Sequence, residues 1–81
     1  MKKQYQIGDS VEFHKNWVYG TCLVCARQLS DDSDLKVALN DRLQILSFEQ
    51  LQQLSENMIF SEYVGAECAK KFPKESLYQD N

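Results

Sequence analysis

The sequence predicts an α+β domain in which an N-terminal β-hairpin and a knuckle-like turn precede two or three short helices. Three observations lead there. Apolar and aromatic residues alternate on either side of a polar break in "SVEFHKNWVYG". Cys22 and Cys25 form a C-x-x-C pair just after it, with one further cysteine, Cys68, far down the chain. "SFEQLQQLSENM" opens on a capping pattern and then carries one apolar helical face.

In the first segment Val11 and Phe13 alternate with Glu12, and Trp17, Val18 and Tyr19 follow "HKN". β-Branched and aromatic runs around a short polar turn read as a hairpin. Gly20 lets the chain bend into the cysteine pair, and "LSDDSD" after it is rich in Ser and Asp, which bond their own backbone in turns. "DLKVALNDRLQIL" carries two patterns. Leu35, Ala38, Leu39, Leu43 and Leu46 share one helical face, and Leu35, Val37 and Leu39 also alternate before an "ND" turn. The helix accounts for more residues and is the favoured expectation.

Ser47 followed by Gln50 makes a capping box, and Phe48, Leu51, Leu54 and Met58 line one side of the helix it starts. A last helix is expected from about Gly65 to Phe72, ended by Pro73, which lacks an amide hydrogen and disfavours helical geometry before it. Residues 1–81 read as a single domain, with a polar tail at 74–81 expected to fray.

Composition sets the class. The chain has 81 residues, 43% of them apolar and 26% charged, with a net charge of −3. That length is near the limit at which an apolar core suffices unaided, so a metal, a partner or tight helical packing is expected to help. No apolar run approaches the roughly 18 residues that span a bilayer, and "MKKQYQIGDS" has no apolar stretch of the kind a signal peptide needs. The expected compartment is the cytoplasm, where thiols stay reduced and a cysteine pattern points to metal or catalysis before disulfides. An odd count of three agrees.

A C-x-x-C pair can be half of a zinc site, a redox couple or two buried thiols. Zinc favours four tetrahedral donors, and a tight turn brings both sulfurs of such a pair to one point. Cys68 in "VGAECAKKF" falls near the first turn of the last helix, where backbone amides favour thiolate charge. The redox reading fits a larger βαβ domain, of which this chain shows no pattern. The expectation is therefore structural Zn2+ on Cys22, Cys25 and Cys68, with His14, the only histidine, as the candidate fourth ligand. His14 reads equally well as an exposed turn residue. Glu62, Glu67 or a water are the other candidates.

The stretches "CLVCARQL" and "SEYVGAECAKK", separated by a Ser- and Asp-bearing turn, resemble a group of small phage and prophage proteins, mostly of unknown function. Their pattern is C-x-x-C-G-R-x-L, a short Asp/Ser stretch, then S-x-x-x-G-x-x-C followed by basic residues. The resemblance covers Cys22 to Leu29 and Ser61 to Lys71. It implies a zinc-knuckle-like site on Cys22, Cys25 and Cys68, with Arg27, Leu29, Ser61 and Gly65 also matching. Two positions depart from it: Ala26 stands where the pattern has Gly, and Leu35 to Phe60 is longer than the usual linker.

For function, the chain lacks a H-E-x-x-H helix, a Gly-rich phosphate loop and a deaminase signature, and one histidine cannot serve both a metal and a nucleophile. Asp31, Asp32 and Asp34 read as a solvated acidic turn. The expectation is a non-enzymatic, zinc-stabilised binding module that docks on a host or phage protein and inhibits or modulates it. Trp17, Tyr19, Phe60 and Tyr63 are its candidate contact surface. The alternative is a nucleic-acid-binding module in which Lys70, Lys71 and Lys74 meet phosphates beside Tyr63 or Phe72. Net acidity disfavours it.

Overall fold

The computed structural model describes residues 4–29 and 35–79; the acidic stretch of Asp31, Asp32 and Asp34 lies outside them. Its centre is a three-stranded antiparallel sheet in the order β2-β1-β3, with β1 at Leu35–Val37, β2 at Glu62–Tyr63 and β3 at Leu77–Gln79. Two single-turn helices, α1 at Phe48–Leu51 and α2 at Ala66–Ala69, and two 3-10 turns at Glu56–Met58 and Lys74–Ser76 fill the connections. The α+β class expected from the sequence is what the chain adopts. Among the described residues no helix is long and apolar enough to cross a membrane.

The segment with two patterns resolves as a hairpin, against the favoured helix. β1 runs on to an antiparallel bridge between Leu39 and Ile45, and the Asn40 side-chain oxygen accepts from the amides of Arg42 and Gln44, each at 2.9 Å. That Asn-centred turn offers the backbone a partner other than a helical ladder. Leu43 takes the left-handed conformation (φ 58°), as the last residue of a three-residue hairpin loop does. Val37, Ala38 and Leu39 are all fully buried. A strand covered on both faces shows no alternation, so its apolar residues also fit a helical template.

The expected hairpin at 11–19 does not form. Its first arm pairs instead with the far side of the 39–45 hairpin: Gly8 N donates to Ile45 O at 2.7 Å, Ile45 N to Asp9 O at 2.9 Å and Val11 N to Leu43 O at 2.9 Å. His14 N then donates to Leu23 O at 2.9 Å, next to the cysteine pair. Val18 and Tyr19 close a tight turn with Gly20 at φ 96°, a sign that only glycine adopts without strain. Both side chains are exposed, so their β-forming character reflects neither pairing nor burial.

At the other end, residues 74–79 of the segment expected to fray form a 3-10 turn and a strand. Residues 77–79 pair with β1 in the register Leu35↔Gln79, Lys36↔Tyr78 and Val37↔Leu77, and Ala38 N donates to the carbonyl of fully buried Ser76 at 2.7 Å. The Tyr78 ring meets Phe48 at 5.0 Å between centroids. The capping box of α1 forms as expected, Ser47 Oγ accepting from Gln50 N at 3.1 Å and Gln50 Oε1 from Ser47 N at 3.0 Å. The helix is a single turn, and Met58 belongs to a separate 3-10 turn that follows Ser55. The last helix is likewise shorter than expected, ending at Ala69 rather than reaching Phe72.

The core joins these pieces. Val11, Leu23, Val37, Leu39, Ile45, Val64 and Phe72 form one buried cluster that includes Cys22 and Cys68. Tyr5 stacks on Phe72 at 4.8 Å, fixing the N-terminal segment against the end of the α2 connection. The cysteines therefore sit at the rim of the core, where any ion they hold bears on its packing.

Candidate metal centre

Cys22 and Cys25 lie on the knuckle that the spacing implied. Thr21 and Gln28 form an antiparallel bridge, Cys22 N donates to Arg27 O at 2.9 Å, and Ala26 N returns to Cys22 O at 2.8 Å. The turn closes only because Ala26 adopts φ 60°. That is the position where the resembling pattern has Gly, and the left-handed conformation strains any residue with a Cβ by about 1–2 kcal/mol. Alanine thus keeps the knuckle geometry and carries the strain. Ala26→Gly is expected to stabilise the fold by up to about 1 kcal/mol, read as a raised urea midpoint at unchanged slope. An unchanged or lower midpoint would mean that the turn relaxes elsewhere.

Cys68 reaches the same point from the other side. It is the third residue of α2, which Gly65 enters from the end of β2. The sulfurs of Cys22, Cys25 and Cys68 all lie within 4.8 Å of one another. Tetrahedral geometry with bonds of about 2.3 Å requires sulfur–sulfur separations near 3.8 Å, so small side-chain adjustments let one ion contact all three. The three cysteines lie together and could hold a metal ion. Cys22 and Cys68 are buried and Cys25 is exposed, all as free thiols.

Electrostatics separates the two buried thiols. Burial pushes the Cys22 thiol up, yet hydrogen bonds from the backbone of Gly65, Cys25 and Val24 and from the Cys68 thiol outweigh it, and its pKa falls below the ordinary value. These amides aim at a developing thiolate, the form that ligates metal. Cys68 goes the other way, to about 12, through burial and through hydrogen bonds and charge from Cys25 and Cys22. The helix was expected to favour thiolate at Cys68; with only four residues, α2 supplies too little dipole to offset burial and the neighbouring sulfurs. A shared cation is what relieves that crowding of negative charge.

His14 is not part of the converging group. Its Nδ1 accepts from Asn16 N at 3.0 Å, and it lines a separate cleft with Tyr5, Ser10, Glu12 and Phe13. Its backbone does reach the knuckle, His14 N donating to Leu23 O at 2.9 Å, but the imidazole is turned to Asn16 and the separate cleft. His14→Ala is accordingly expected to leave metal stoichiometry and affinity at the wild-type level by elemental analysis and competition with a chelator; a marked loss of metal would restore the imidazole as a ligand. Glu62 does not join the sulfurs either. Burial raises its pKa and Lys36 opposes the rise. Glu67 lines the cleft beside the cysteines, but its carboxylate turns to Lys70 at 3.7 Å in an exposed pair.

Sequence reasoning found the three cysteines and missed the groups that prepare them. Gly65 entered there as the expected start of the last helix and a matching position; here its backbone hydrogen bond also lowers the Cys22 pKa. Arg27, Gln28 and Leu29 form one wall of a cleft of about 260 Å³ over the sulfurs, and Gly65, Ala66 and Glu67 form the other. Comparison with known protein families, curated proteins and solved structures gives no match.

Proposed function

We propose that this protein is a non-enzymatic binding module in which Zn2+ on Cys22, Cys25 and Cys68 staples the knuckle to α2, leaving the outer surface to dock on a protein partner. The observation that carries the reading is the meeting of three sulfurs within 4.8 Å at the rim of the core. Thiolate donors suit zinc, and in a small domain binding free energy adds directly to folding free energy. On the sequence resemblance alone, the reading takes the protein as phage- or prophage-encoded and acting in the host cytoplasm, as an inhibitor or modulator of a host protein.

Surface chemistry supports a protein partner over nucleic acid. Tyr19 is 84% exposed and Phe60 46%, which is large apolar area of the kind found at interface centres. Trp17 and Tyr63 contribute less: Trp17 is half-buried edge-on to Phe13, and Tyr63 lies under the Lys36 ammonium at 4.8 Å. Of the basic residues, Lys70 is paired with Glu67, Lys71 is half-buried and Lys74 is exposed. Three such lysines on a chain of net charge −3 give a weak, salt-sensitive attraction to phosphates.

Elemental analysis of protein purified without chelator or acid tests the metal, with one zinc per chain expected; a ratio near zero ends this reading. For the partner class, nonspecific DNA and RNA at low salt are expected to show no binding. Binding that disappears in Lys70→Glu/Lys71→Glu would establish the nucleic-acid alternative instead.

A further inference from the structure

A tetrahedral ion on three sulfurs has one corner left to fill. Among the described residues no fourth His, Cys, Asp or Glu donor joins Cys22, Cys25 and Cys68. Cys22 and Cys68 close the core side of the site, and exposed Cys25 marks its solvent side. Among the described residues, the space beside the sulfurs is the cleft of about 260 Å³ between Arg27 and Leu29 on one wall and Ala66 and Glu67 on the other. That volume lies just below the range of small-molecule sites, about 300–1,000 Å³. It admits a compact ligand.

Resting on the zinc reading, we infer that this fourth position binds an external low-molecular-weight thiolate, which displaces a coordinated water. Chemistry on the page favours that class. A metal already held by thiolates is matched by a further soft donor. Leu29 and Ala66 give the cleft an apolar surface against which a short alkyl chain can lie. A divalent ion with three thiolates carries one negative charge, and a fourth thiolate adds another; Arg27 lines the cleft and opposes that increase, while Glu67 on the facing wall is engaged by Lys70. On binding, the thiol S–H releases its proton to the buffer, the sulfur–metal bond forms and the water leaves. No electrons change hands.

Cobalt(II) replaces zinc in such sites and makes thiolate donors visible through sulfur-to-metal charge transfer. The full chain loaded with one cobalt in thiol-free buffer, then titrated with 2-mercaptoethanol, is expected to gain charge-transfer intensity by about one third as donors rise from three to four. The gain should saturate, with cobalt retained. Arg27→Ala, at an exposed position that leaves the fold intact, is expected to weaken the half-saturation about two- to fivefold. Charge-transfer bands that form on cobalt addition but do not respond to 2-mercaptoethanol would overturn the open corner while leaving the metal centre standing. Absence of any such band on cobalt addition would overturn the metal centre and the ligand together.

Discussion

Cys68→Ser is expected to leave the protein folded to no greater extent than wild-type protein treated with chelator, and both are expected to melt far below the zinc-loaded wild type. Three facts combine. Cys68 is the one sulfur that ties α2 to the knuckle, and it is buried within the main core cluster. Structural zinc contributes about 10–16 kcal/mol of apparent binding free energy to small domains, while domain stability as a whole is only about 5–15 kcal/mol. Loss of a group merely hydrogen-bonded to a ligand already reduces metal affinity about 10–100-fold, so loss of a ligating thiolate exceeds that. Circular-dichroism melts of wild-type protein with and without chelator, beside the variant, measure it. Coincident high midpoints in all three samples would show that the fold stands without its staple.

Acid and base should act on this staple in opposite senses, depending on the metal. Without metal, the Cys68 thiol sits at about 12 against an ordinary value of 9.0. The folded state then holds its proton where the unfolded chain has lost it. Stability from this group is complete below pH 9.0 and declines as pH rises from there toward 12. With zinc, the thiolates must be free of protons, so the loaded fold weakens as pH falls. Cys22, with its lowered pKa, acts in the opposite sense, its contribution being lost as pH falls below 9.0. Chelator-treated and zinc-loaded melts are therefore expected to diverge above pH 9.0, where only Cys68 still changes. Parallel profiles would mean that the cysteines do not titrate with folding.

The features that could be read from the sequence are those whose chemistry is local. Ser47 and Gln50 satisfy each other's backbone within one turn, and their pairing is present as expected. The Cys22–Cys25 spacing is compatible with a knuckle, and local bonds close it, Cys22 N to Arg27 O and Ala26 N to Cys22 O. Pairing between distant segments was hidden. Val11 and Phe13 carry the composition of a strand, but Val11 bonds to Leu43 and not to a neighbour across "HKN". Nothing in the local letters specifies that choice. The 35–46 segment misled for a related reason: full burial of Val37, Ala38 and Leu39 erases the alternation that distinguishes strand from helix. His14 comes to the knuckle by its backbone alone: its amide bonds to Leu23, while its imidazole accepts from Asn16 and does not join the sulfurs.

The tail shows the same hidden pairing with the largest consequence, and it gives the second major expectation. Deleting residues 77–81 is expected to cost about 3–5 kcal/mol, from net hydrogen-bond contributions of about 1 kcal/mol each and the apolar surface that β3 covers. β3 is an outer strand of the sheet, and its Leu77 lies opposite Val37, which is fully buried. Removing it strips one side of β1, the strand through which β2 and the core hairpin are connected. A new carboxylate at buried Ser76 adds to the loss, so Tyr78→Ala serves as the milder companion. It removes only the ring contact with Phe48 and is expected to cost about 0.5–1.5 kcal/mol beyond lost area. Urea titrations at saturating zinc keep the metal contribution constant and read both values. A polar tail detached from the fold predicts changes within about 0.5 kcal/mol for both variants. The sheet register predicts two distinct losses, the deletion well above the substitution, because one removes a strand and the other only a ring.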